Sequence, residues 1–140
     1  MKTKKIILLA SLISVLFSFC EVEDTECVDA DYSDCDTWEP FWGELVISLT
    51  INEENTLVPV TIYRGKIEEN QIIKQCSIRT PTLYYEVPLD EYYTVKAQYK
   101  NNGQTIYAID GDRIYKKSRK YCDSTCWEIK GGYFTLDLKY

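Results

Sequence analysis

Six cysteines and not one histidine delimit the chemistry open to this chain of 140 residues. Without imidazole there is no common general base for neutral pH, no Ser–His or Cys–His nucleophile pair, and no imidazole metal ligand. What remains for an enzyme is carboxylate chemistry of the glycosidase kind, which needs two acids facing each other across a substrate. No such pair stands out in the part that reads as folded. The expectation is therefore a non-enzymatic protein that needs no cofactor.

The cysteines are Cys20, Cys27, Cys35, Cys76, Cys122 and Cys126. An exported chain meets an oxidising compartment, where cysteines pair. Cys122 and Cys126, with Asp-Ser-Thr between them, are expected to form a local bridge, and Cys27 with Cys35 can close a loop. The alternative joins Cys35 to Cys122 or Cys126, stapling the start of the domain to its final hairpin. If processing at Cys20 consumes that thiol, five remain, and at least one is free or pairs outside the chain. Cys76 lies within a strand pattern and reads as a small buried hydrophobe. Cys35, Cys122 and Cys126 with an Asp would suit zinc, but no paired Cys-x-x-Cys knuckle is present, so no metal is expected. Asp29, Asp31, Asp34 and Asp36 offer oxygens in the manner of half a calcium loop. The turn glycine and distal glutamate of that loop are missing, and the stretch reads as a solvated acidic linker.

Two further groups are candidates for interaction. Lys116, Lys117, Arg119 and Lys120 form a basic cluster suited to an anionic glycan or lipid headgroup, though such runs are commonly solvated strand ends or loops. Trp38, Phe41, Trp42 and Trp127 flank the cysteines at both ends of the domain. They are expected to plug the sandwich where the linker enters; the alternative is a stacking platform for sugars or a protein hot spot.

These groups need elements to position them. Lys2, Lys4 and Lys5 followed by the apolar run Ile6–Phe19 have the layout of a secretory signal. The run is shorter than the roughly 20 residues of a membrane span. Residues 21–39 then carry nine acids and no base, whereas residues 40–140 carry 13 of each sign. The excess negative charge sits in an extended tether, which argues against nucleic acid as a partner.

From Leu45 onward the pattern has period two: Leu45, Ile47, Leu49 and Ile51, then Val58, Val60 and Ile62. A weaker strand is expected over Gln71–Ile78, another over Leu83–Val87, and the clearest over Tyr93–Lys100. Asn101-Asn102-Gly103 signals a hairpin into Thr105–Ile109. Asp110-Gly111-Asp112 is expected to turn the chain before a strand through Ile114 and Tyr115, and Phe134, Leu136 and Leu138 face inward in the last strand. The fold class is all-β: an antiparallel β-sandwich of about seven strands.

Leu16-Phe17-Ser18-Phe19-Cys20, with acids immediately after it, resembles a bacterial lipoprotein signal in which Cys20 is acylated and becomes the new N-terminus. Phe19 stands where small residues are usual. Relaxed signals with an acidic stretch resemble those of Bacteroidota surface lipoproteins, as do Cys-Asp-Thr-Trp-Glu-Pro-Phe at 35–41 and Cys-Asp-Ser-Thr-Cys-Trp-Glu at 122–128. Val58-Pro59-Val60-Thr61-Ile62-Tyr63-Arg64-Gly65 and Tyr92–Tyr99 are similar to strands of transthyretin-like, Ig-like or collagen-adhesin B-type (Cna-B-like) sandwiches. That likeness often implies a Lys–Asn isopeptide. Leu45–Ile51 has no lysine and Tyr133–Tyr140 no asparagine, so no such crosslink is expected.

The organisation expected is a lipoprotein signal over 1–19, an acidic tether over 20–42 and a β-sandwich over 43–140. The functional expectation is a lipid-anchored binding or structural module at the outer membrane or cell surface, whose partner is an envelope protein or glycan. Its alternative is an inhibitor or immunity-type protein that blocks an attacking enzyme, periplasmic or secreted.

Overall fold

Alternation dictates the architecture. In the computed structural model, which describes residues 33–139, the chain forms eight strands in two sheets. They are β1 (Trp42–Ser48), β2 (Val58–Arg64), β3 (Gln71–Ile78), β4 (Thr82–Pro88), β5 (Glu91–Asn101), β6 (Gln104–Tyr121), β7 (Ser124–Lys130) and β8 (Tyr133–Thr135). One sheet has the order β4-β1-β8 and the other β3-β2-β5-β6-β7. All pairings are antiparallel except β1 with β8, the first strand and the last. The antiparallel-rich sandwich agrees with the sequence expectation. The expected signal, the expected lipidation site Cys20, Cys27 and residues 29–32 of the calcium-like stretch lie outside the described residues.

The core lies between the inner faces. Leu45 and Ile47 of β1, Val87 of β4 and Phe134 of β8 meet Val60 and Ile62 of β2 and Tyr93, Val95, Ala97 and Tyr99 of β5, all buried. Burying an aliphatic or aromatic side chain of this size contributes about 1.5–3 kcal/mol, which fixes the register of each strand. The two buried tyrosines also bridge the layers by hydrogen bonds. Tyr99 donates its hydroxyl to the Leu136 carbonyl at 2.9 Å and accepts from the Thr50 amide at 3.2 Å. Tyr93 donates to the Pro88 carbonyl at 2.9 Å.

Between β1 and β2, Asn55 replaces a missing strand. Its carboxamide accepts from the Lys100 amide at 2.7 Å and donates to the Lys100 carbonyl at 2.9 Å, the two bonds a neighbouring peptide unit would make.

β6 departs most from expectation. Asp110-Gly111-Asp112 does not turn the chain; it lies within this continuous strand. Asp110 pairs with Val95 and Asp112 with Tyr93, so both carboxylates sit on the inner face. There they take up amides of the opposite sheet. Asp112 accepts from Gly132 at 2.8 Å and Asp110 from Thr135 at 2.9 Å, sealing the side of β8 away from β1. At Gly111 the Tyr92 hydroxyl lies over the space a β-carbon would take, so a side chain there would have to displace the tyrosine.

Residues 104–114 of β6 pair with β5, whereas residues 115–121 pair only with β7. At roughly 3.3 Å per residue, the β6–β7 hairpin extends as an arm about 23 Å past the last β5 pairing. Gly131 makes the return possible: it has φ +77° and lies so close to the Arg113 carbonyl that no side chain fits. The described residues belong to one compact unit, which takes in residues 33–42, read from sequence as part of the tether.

Candidate functional site

The arm carries most of the residues singled out in the sequence. Antiparallel pairing puts cross-strand partners on one face. Lys116, Ser118 and Lys120 share a face with Ile129, Trp127 and Thr125, while Lys117 and Arg119 share the other with Glu128 and Cys126. The basic run is therefore strand rather than loop. Residues 113–130 hold six basic side chains against two acidic ones.

The segment leading into β1 is fastened to this arm. Cys35 and Cys126 are joined by a disulfide across 91 residues of sequence. Asp36 forms an antiparallel bridge with Trp127, whose amide donates to the Asp36 carbonyl at 2.8 Å. The Asp36 carboxylate accepts from the Trp38 amide at 3.0 Å.

This pairing overturns the local Cys122–Cys126 bridge and the Cys27–Cys35 loop. Cys122 is also disulfide-bonded, but Cys126 already belongs to Cys35. Cys122 occupies the hairpin turn with φ +53°, and Cys126 sits on the arm face beside the entering segment, so strand pairing favours the long-range bond. The zinc set is removed as well, because its thiols are consumed in disulfides. Among the described residues no group of Cys, Asp or Glu is arranged to hold a metal. Cys76 is a free, half-buried thiol packed against the core; burial pushes its pKa up, against the opposing charge of Lys74.

Lys116 is the hub of the arm's base. Its ammonium lies 2.6 Å from the Glu39 carboxylate and 3.7 Å from that of Asp90. It also stands 5.0 Å from the Phe41 ring centre and 5.9 Å from that of Trp127. The hydrogen bond to Glu39 holds its pKa above the ordinary lysine value, with the Asp90 charge adding to the effect. Lys130 pairs with Glu128 and lowers that carboxyl's pKa through the hydrogen bond. Lys117, Arg119 and Lys120 make no ion pair among the described residues.

The aromatic plug is not formed. Trp38 is 84% exposed, Phe41 67% and Trp42 58%. For Trp42 the parity of β1 explains this: Gly43, Leu45 and Ile47 point inward, which turns Trp42 outward opposite Pro88. The end of the sandwich is closed by Leu89 and Ile114, packed so tightly over Gly43 that a ring could not enter. Trp127 is half-buried on the arm. The three tryptophans thus occupy three settings rather than one stacked platform. Trp38, Phe41 and Trp127, with Lys117, Arg119 and Lys120, leave a mixed aromatic and cationic surface around the arm.

Sequence reasoning missed Glu39 and Asp90 as partners of Lys116, and it missed a polar groove on the outer face of the larger sheet. The outward set Thr94, Lys96 and Gln98 was visible in the β5 alternation; its partner Tyr107 was not, because only strand pairing brings it alongside. No family model, curated protein or solved structure matches this chain.

Proposed function

We propose that this chain is a lipid-anchored lipoprotein of the cell envelope whose β-domain is a non-enzymatic binding module, with the β6–β7 arm as its contact surface. One observation carries the reading: exposed Trp38 and Phe41 lie in the segment fastened to an arm whose Lys117, Arg119 and Lys120 make no ion pair among the described residues. Large aromatic side chains and arginine left in water are the common anchors of protein interfaces. The sandwich gives the arm a rigid base, and the disulfide keeps the aromatic segment in register with it. Acylation at Cys20 would hold the domain to the outer membrane or cell surface, and the partner would be an envelope protein or glycan.

A photo-crosslinking residue at position 38 or 120, compared with one at Asn102 in the β5–β6 turn, tests the surface. Fractionation of the chain and of Cys20→Ser tests the anchor. The expected results are adducts from 38 and 120 but not from 102, and release of Cys20→Ser from membranes. Adducts of equal yield from all three positions would remove the arm as the contact surface. Membrane retention of Cys20→Ser would remove the lipid.

The projecting, disulfide-stapled hairpin also favours the second reading, an inhibitor that inserts the arm into an enzyme cleft. An enzyme that loses activity on addition of the purified chain, and keeps it with Trp38→Ala and Arg119→Glu, would select that reading.

A further inference from the structure

The outer face of the five-stranded sheet is built in cross-strand rows. Gln75, Thr61, Lys96 and Ile109 form one row through consecutive pairings of β3, β2, β5 and β6. Alongside it, Pro59 pairs with Ser77, and Gln98 with Tyr107. Between the rows runs a groove of about 460 Å³ lined by Thr61, Gln75, Ser77, Lys96, Gln98 and Tyr107, among others. That volume lies within the roughly 300–1,000 Å³ of small-ligand sites.

Lys96 is held between two aromatic rings, 5.7 Å from the centre of Tyr63 and 5.5 Å from that of Tyr107. Among the described residues no carboxylate lies within ion-pair distance of it. The rings fix a cation without neutralising it. Tyr63 is buried, whereas Tyr107 is 57% exposed and offers its ring to a ligand. The side chains of Thr61, Gln75, Ser77 and Gln98 make no hydrogen bond within the described protein, so two amides and two hydroxyls remain free to donate and accept. Cys76 lies between Gln75 and Ser77 on β3, opposite Val60, and its thiol packs against the core rather than offering itself to a ligand.

We propose that this groove binds a carboxylated saccharide, with Lys96 taking the carboxylate, Tyr107 stacking on the sugar ring, and Gln75 and Gln98 reading its hydroxyls. A neutral sugar would leave the cation unused. Nucleic acid would meet one lysine here, where several phosphate contacts are needed for affinity. The site is separate from the arm and does not depend on the anchor.

The test uses the oxidised chain as purified from its host. It is titrated calorimetrically and by amide NMR with tetramers of galacturonate, mannuronate and sialic acid, and with the methyl ester of whichever binds. At least one acid tetramer is expected to bind and to shift the amides of Thr61, Lys96, Gln98 and Tyr107. The ester and Lys96→Gln should each bind about tenfold more weakly, the loss of one charge-assisted contact. Tyr107→Ala should lose about two- to tenfold. If that variant loses amide dispersion, Gln98→Ala, with a loss of about threefold or more, takes its place. Failure of all three acids to bind at millimolar concentration, equal affinity for acid and ester, or shifts confined to the arm would each overturn the proposal.

Discussion

Asp110 and Asp112 lie within a strand, on its core side, and accept hydrogen bonds from the amides of Thr135 and Gly132. Replacing both by alanine leaves those two donors without partners against a partly buried edge. A hydrogen bond to a charged acceptor contributes about 1.5–3 kcal/mol, and both aspartates are partly solvated, so the lower end applies to each. The pair stands two residues apart on one strand, so the losses need not add, and about 2–3 kcal/mol is expected for the double variant. In a domain of this size that corresponds to roughly 10 °C in Tm. Urea denaturation gives the free energy. Hydrogen exchange gives the location: protection should fall at Gly132 and Thr135 while the β2–β5 amides keep theirs until global unfolding. If the two aspartates merely decorated a surface turn, the change would stay within about 0.5 kcal/mol. That result, with unchanged exchange at Gly132 and Thr135, would refute the sealing role.

Removing the long staple with Cys35→Ser/Cys126→Ser should cost about 2–4 kcal/mol and loosen the arm more than the sandwich, seen as faster exchange of the Trp127 amide than of the Val95 amide. Asn55→Ala strips the Lys100 amide and carbonyl of their partner and should cost about 2 kcal/mol in urea; Asn55→Asp, which keeps only the acceptor, should not rescue it. Burial raises the folded-state pKa of the Cys76 thiol and of the Tyr93 and Tyr99 phenols above their ordinary values of 9.0 and 10.0. Above those values the unfolded chain holds fewer protons than the folded one, so stability is full below about pH 9 and falls as pH rises past 10. Urea midpoints measured from pH 8 to 11 should show that decline, and Tyr99→Phe should flatten it.

The parts of the fold that face a core were legible. β1, β2 and β5 announce themselves because one buried face forces Leu45/Ile47, Val60/Ile62 and Val95/Ala97 into period two. The outer half of β6 and all of β7 did not, because the arm buries little on either face. Residues 116–120 are polar throughout, and Ser124–Lys130 sets Cys126 and Trp127 side by side, so neither has a clean apolar face, and their strand character comes from pairing with each other and with Asp36. The same limit hid the site. Trp38 and Trp42 look like core residues by type; the parity set by Gly43 turns Trp42 to water, and Trp38 is exposed in the segment before β1. Asp110-Gly111-Asp112 has the composition of a turn, and nothing local reveals that amides of another sheet await its carboxylates.

The parallel pairing of Val46–Ser48 with Tyr133–Thr135 has a kinetic meaning. The middle strand of the smaller sheet cannot gain its second neighbour until the last strand exists, nearly ninety residues later in the chain. Cys35 likewise waits for Cys126. Closing such distant contacts puts folding on the slow side, in roughly milliseconds to seconds rather than microseconds. An N-terminal stretch emerging alone has no partner to lock onto. It stays extended and without its second neighbour until the far end of the chain arrives, so the smaller sheet is completed by the last residues to be made.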